Sequence, residues 1–176
     1  MTIAMTQSST LAIANFFIRK SLKEKKPISQ IKLQKLIYFA HGFYLAVKEK
    51  PLVNEKIEAW QYGPVIPLVY HRFKNWGNNE ITRVLIDKSD GLMISEEVIE
   101  FLDLVWHKFS RYSASELVNL SHEKDGPWHK AIEKSKALVG FVVPNIVINN
   151  LEIYNYFREK FVNNSIDRHY QMAAMA

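Results

Sequence analysis

The side chains best suited to proton transfer or metal ligation in this sequence are its six histidines, at positions 41, 71, 107, 122, 129 and 169. An imidazole serves as base, acid or ligand near neutral pH, but each role needs a carboxylate, a nucleophile or further ligands at short range. The sequence does not supply them. His122 and His129 are seven residues apart, and Gly126-Pro127 breaks any helix between them. His41 has no acid or nucleophile close in sequence and reads as a partly buried, hydrogen-bonded histidine. No His-Glu-x-x-His and no nucleophile elbow around a serine is present. The glycines are never closer than 14 residues, so no glycine-rich phosphate cradle can form, and the absence of cysteine removes thiolate chemistry and disulfides. No catalytic, metal or cofactor-binding residue is assigned. An enzyme whose site is assembled from His41, His122 or His129 stays open as an alternative.

Binding chemistry is the other possibility. Between Arg19 and Lys35 stand seven basic residues (Arg19, Lys20, Lys23, Lys25, Lys26, Lys32 and Lys35) against the single acid Glu24, a local +6 in a chain of net charge +5. The remainder of the chain therefore sums to −1 and is a near-neutral globule with one basic corner. A solvated helix-to-helix link is the preferred reading of that corner, with a nucleic-acid-binding regulator as the alternative, because no aromatic platform or groove-reading motif accompanies it. Trp60, Trp76, Trp106 and Trp128 read first as core or corner anchors.

The elements that must position these residues are mainly helical. Apolar spacing predicts a helix over about 11–23, then a nearly all-round apolar, central helix over about 30–48 with Ser29 as its cap; only the row Gln34, His41, Lys48 stays polar. Pro51 ends it, and residues 52–62 read as a small β ribbon with a turn near Asn54. In Glu58-Ala59-Trp60-Gln61-Tyr62-Gly63-Pro64-Val65-Ile66-Pro67, Gly63 can take a positive φ and Pro64 is suited to start a helix running to about Trp76. A short strand over 82–86 is weighed, followed by helices near 95–109, 113–121, 127–136 and 150–162; Ser113 and Glu116 stand at capping-box spacing, and Gly126-Pro127-Trp128 repeats the glycine-proline-anchor grammar. The expectation is a mainly α, single compact domain of about six to eight helices over 10–162. Residues 1–9 are expected to be a disordered N-terminus and 163–176 a flexible tail. At 176 residues the chain suits one buried core, and no apolar run approaches the roughly 20 residues of a membrane helix, so a cytoplasmic protein without membrane contact is expected.

Three separated segments carry a family resemblance: Lys32-Leu33-Gln34-Lys35-Leu36-Ile37-Tyr38-Phe39-Ala40-His41-Gly42; the Glu58 to Pro67 stretch with Val69-Tyr70 and Phe73-Lys74; and Glu116-Leu117 through Leu120-Ser121-His122 to Pro127-Trp128 with Ala131. In this order and spacing, over roughly residues 10–135, the chain resembles the Panacea domain, also called SocA-like or GepA-like, of bacteria and phages. The C-terminal portion departs from it. The resemblance implies the antitoxin of a type II toxin–antitoxin system, which restrains a cognate toxin protein encoded by a neighbouring gene through direct contact, with a proteolytic-adaptor role also attached to the family. Lys35, Tyr38, His41, Trp60, Tyr62, Gly63, Pro64, Pro67, His122 and Trp128 are the motif positions taken as candidate partner-binding residues. Met172-Ala173-Ala174-Met175-Ala176, small and uncharged, is weighed as a tail read by a Clp-type protease.

Overall fold

The computed structural model describes residues 8–85, 94–141 and 144–163, so the readings for 1–7, Ile86 and 164–176 lie outside the described residues. Seven α-helices are described: α1 (Ser8–Glu24), α2 (Gln30–Lys48), α3 (Pro67–Phe73), α4 (Glu96–Phe109), α5 (Ala114–Ser121), α6 (Pro127–Val139) and α7 (Asn150–Phe157), with a π-helical turn over Arg158–Asn163. Three short strands, β1 (Glu58–Trp60), β2 (Gly63–Val65) and β3 (Ile146–Val147), form an antiparallel sheet in the order β2-β1-β3. The mainly α architecture with a small ribbon is the one read from the sequence.

The core is organised around α2. Ser29 caps its first turn by accepting from the Lys32 amide, and fifteen of its residues, from Gln30 to Ala46, are buried. Phe157 of α7 lies against α2 at Gly42, where a Cβ would overlap the phenyl ring, so the absence of a side chain there gives the ring its seat. Phe39, Phe43 and Phe109 continue the packing, with Phe39 and Phe109 stacked at 4.9 Å between ring centroids. Among the described residues no helix is long and apolar enough to cross a membrane.

Three placements differ from the sequence reading. The ribbon is the hairpin β1–β2, closed by Gln61 and Tyr62, rather than one turning near Asn54. Pro64 does not start a helix: it lies in β2 opposite Ala59, and Pro67 opens α3 instead. Over 82–85 no strand forms; an isolated bridge between Glu80 and Ser29 precedes the segment, and the Asn15 amide bonds both to the N–H and to the carbonyl of Leu85. A strand needs a continuous neighbour, and a single side-chain clamp satisfies Leu85 without one.

Candidate functional site

Lys35 lies on the buried side of α2 with 1% of its surface exposed. Its Nζ donates to the Pro64 carbonyl at 2.9 Å, and this is its one hydrogen bond among the described residues. Desolvation without a compensating carboxylate pushes the ammonium down to about 7. One position earlier on the same helix, the Gln34 amide accepts from Ile66 N–H at 2.9 Å and donates to Ile66 O at 3.2 Å. Gln34 thus satisfies the chain after β2 as a neighbouring strand would, which keeps it extended until Pro67.

Gly63 is fixed by two constraints. Its φ is +98°, and a Cβ would lie 2.5 Å from Ser121 Oγ and 2.9 Å from Lys35 Nζ. The absence of a side chain lets the hairpin settle on both α2 and the end of α5. The second glycine-proline corner closes the arrangement: Trp128 Nε1 donates to the Trp60 carbonyl at 2.8 Å across 68 residues, and His122 stacks on the Trp128 ring at 3.7 Å with 7° between planes. Burial, together with the Lys35 charge, holds His122 below its ordinary value. The structure therefore brings Lys35, Gly63, Pro64, His122 and Trp128 together at one junction, with Trp60 supplying the carbonyl that joins the corners.

Tyr38 and His41 serve a different part of the core. Tyr38 is buried between the Phe39 and Phe157 rings, and burial drives its phenol well above the ordinary range. His41 Nδ1 accepts from Val53 N–H at 3.3 Å, so Nε2 carries the proton and donates to Asn150 Oδ1 at 3.0 Å. Burial holds this imidazole at about 4. It is a neutral ring joining α2, the loop before β1 and the start of α7, with no reacting group beside it. Among the described residues no group of three or more His, Asp or Glu side chains could hold a metal.

The basic corner disperses on folding. Lys32, 7% exposed, donates to Ser110 O at 2.7 Å, and Lys35 is committed to Pro64. Lys20 pairs with Asp103 and Glu24, and Lys26 with Glu24. Four of the seven cations thereby engage protein groups, two of them, Lys32 and Lys35, from buried positions, while Arg19, Lys23 and Lys25 stay exposed.

Two aromatic side chains of the motif stand at the surface beside this junction. Tyr62, at the hairpin tip, is 58% exposed; Trp60 is half-buried, its ring edge-on to Tyr70 at 4.8 Å and its N–H on Glu58 at 2.8 Å. These rings line a cleft of about 360 Å³ running down to Gln30, Gln34 and Lys35, while Pro67 is half-buried at the head of α3. A second hollow of about 500 Å³ lies along Trp60, Trp128 and Ile132. Leu138 on α6, Phe141 just after it, Val147 on β3 and Leu151 on α7 are further exposed apolar side chains. Gln30 and Ser121 escaped the sequence reading as contributors. For Gln34, the signal was present as a polar residue on an otherwise apolar helix.

A family model described as "Antitoxin SocA-like, Panacea domain" matches residues 33–129, which contain all ten candidate partner-binding positions. The Antitoxin SocA of Caulobacter vibrioides (strain NA1000 / CB15N) is 42% identical over 125 residues, covering 66% of this chain and 66% of that protein. No solved structure matches. β3, α7 and the exposed apolar residues from Leu138 onward lie beyond the family match.

Proposed function

The chain belongs to the family of SocA-like antitoxins with the Panacea domain, and from that premise we propose that it neutralises a toxin protein encoded by a neighbouring gene, through direct contact in the cytoplasm. The observation that carries this reading is the division of labour within the motif. Lys35, Gly63, Pro64, His122 and Trp128 face inward on one another, while Trp60 and Tyr62 border an open aromatic cleft. Such an arrangement has the parts of a binding module: a rigid support and a partly solvated aromatic edge, the side-chain class that dominates binding energy at protein interfaces. Of the histidines weighed for catalysis, His41 is occupied on both nitrogens and His122 is stacked on the Trp128 indole, which supports a structural role for these two.

The test is co-expression. The neighbouring gene induced alone arrests growth, growth returns when this chain is present, and the two proteins co-purify; if neither rescue nor co-purification occurs, the reading fails. A role as adaptor to a Clp-type protease is a further part of the proposal. It requires the toxin's half-life to shorten when this chain is present and to lengthen again when the protease is deleted.

A further inference from the structure

The cleft beneath Tyr62 has a chemical character that narrows what it can hold. Its walls are aromatic, formed by Trp60, Tyr62 and Tyr70, and its polar lining consists of donors or amides, including Gln30, Lys35 and Lys74, with no aspartate or glutamate among the described lining residues. Glu58, the carboxylate of β1, is outside this lining and is taken up by the Trp60 N–H.

Two of the polar groups are also incompletely satisfied. Gln30 is only 6% exposed, and its Nε2 is buried with no hydrogen-bond partner. A desolvated amide donor left open is costly, about 1–3 kcal/mol, unless an acceptor reaches it. The Lys35 ammonium, with three N–H groups, has one acceptor among the described residues. An acceptor-rich, negatively charged ligand with an apolar ring would complete both: oxygen to the Gln30 amide, negative charge toward Lys35 and Lys74, ring against Trp60 and Tyr70. At about 360 Å³ the cleft has room for one large side chain and its neighbour.

We infer that this cleft is the anchor site for an acidic segment of a protein partner, seating one aromatic side chain flanked by a carboxylate. The inference rests on the toxin-binding reading for the identity of the partner, but the site can be tested on this chain alone.

Amide-resolved NMR of the full chain, titrated to millimolar concentration with the acetylated and amidated tripeptides Glu-Phe-Glu, Gln-Phe-Gln and Lys-Phe-Lys, gives that test. The acidic peptide shifts the Gln30 side-chain amide and Trp60 indole signals. Affinity falls by at least about fivefold for the glutamine peptide, and further for the lysine peptide, as expected when charge-assisted hydrogen bonds are removed. Gln30→Leu weakens the acidic peptide selectively, whereas Tyr62→Ala, at an exposed position that leaves the fold intact, weakens every peptide. Absence of shifts at Gln30 and Trp60, equal affinity for the three peptides, or the same shifts with inorganic phosphate alone would overturn the assignment. With the neighbouring gene product as ligand, Tyr62→Ala and Lys74→Glu lower capture. Full capture by both variants, despite peptide binding, refutes the toxin as occupant, whereas a gene product that binds no form of the chain defeats the antitoxin reading and leaves the peptide result standing.

Discussion

Replacing Lys35 by methionine keeps the length of the side chain and removes a charge from the interior. The ammonium is 1% exposed, has the Pro64 carbonyl as its acceptor, and is pushed from 10.5 to about 7 by desolvation. At about 1.4 kcal/mol per tenfold change in proton affinity, burying the charged form disfavours folding by about 5 kcal/mol relative to the neutral amine. Above pH 10.5 the amine is neutral in both folded and unfolded chains and the penalty is absent; as pH falls toward 7 the unfolded chain takes up a proton that the folded chain refuses, and stability drops; below about 7 both carry it and the full penalty applies. Loss of the bond to Pro64 returns roughly 1–2 kcal/mol in the other direction. Lys35→Met is therefore expected to be more stable than the parent by about 2–4 kcal/mol at pH 6, with the gap closing as pH approaches 10. Urea unfolding of both proteins across that range measures the difference and cancels other titrating groups. A variant that is destabilised by the same amount at every pH would refute the reasoning, because Lys35 would then bind its proton equally well in the folded and unfolded chains.

The remaining junction residues give simpler outcomes. Gly63→Ala, at φ +98° and with Ser121 and Lys35 in the way, destabilises by about 2 kcal/mol or more in urea unfolding. Trp128→Phe keeps a ring beside His122 but leaves the Trp60 carbonyl without its donor, a loss of about 1–3 kcal/mol that thermal unfolding will register. His41 is held at about 4, so the folded chain refuses a proton that the unfolded chain accepts between about 6.5 and 4; stability falls with pH through that window, and the fall is reduced in His41→Gln, measured by urea unfolding at each pH.

Much of the scaffold was legible because it follows from local patterns. The apolar stripes, the Ser29 cap, the Ser113–Glu116 capping box and the glycine-proline corner at Gly126 all depend on neighbours in sequence, and they lie where the pattern puts them. The hairpin was misplaced because Pro64 and Pro67 are each competent to start a helix. The choice is made by Gln34, 32 residues away, whose amide holds Ile66 extended. The sheet's third strand, β3, comes from more than eighty residues further on and is too short to announce itself by alternation. The basic corner misled for a related reason. A lysine in a helix pattern reads as solvated, and only the tertiary acceptors Ser110 O and Pro64 O reveal that Lys32 and Lys35 point inward. The cleft shares this limit, since Trp60, Tyr70 and Gln30 converge through the hairpin and not through spacing.

The antitoxin reading is tested most directly by the gene beside this one. Its product, induced alone, is predicted to arrest growth; with this chain co-expressed, growth returns and the two proteins elute together from an affinity column. A neighbour that is harmless alone, or one whose arrest persists in the presence of this chain with no co-elution, would contradict the account.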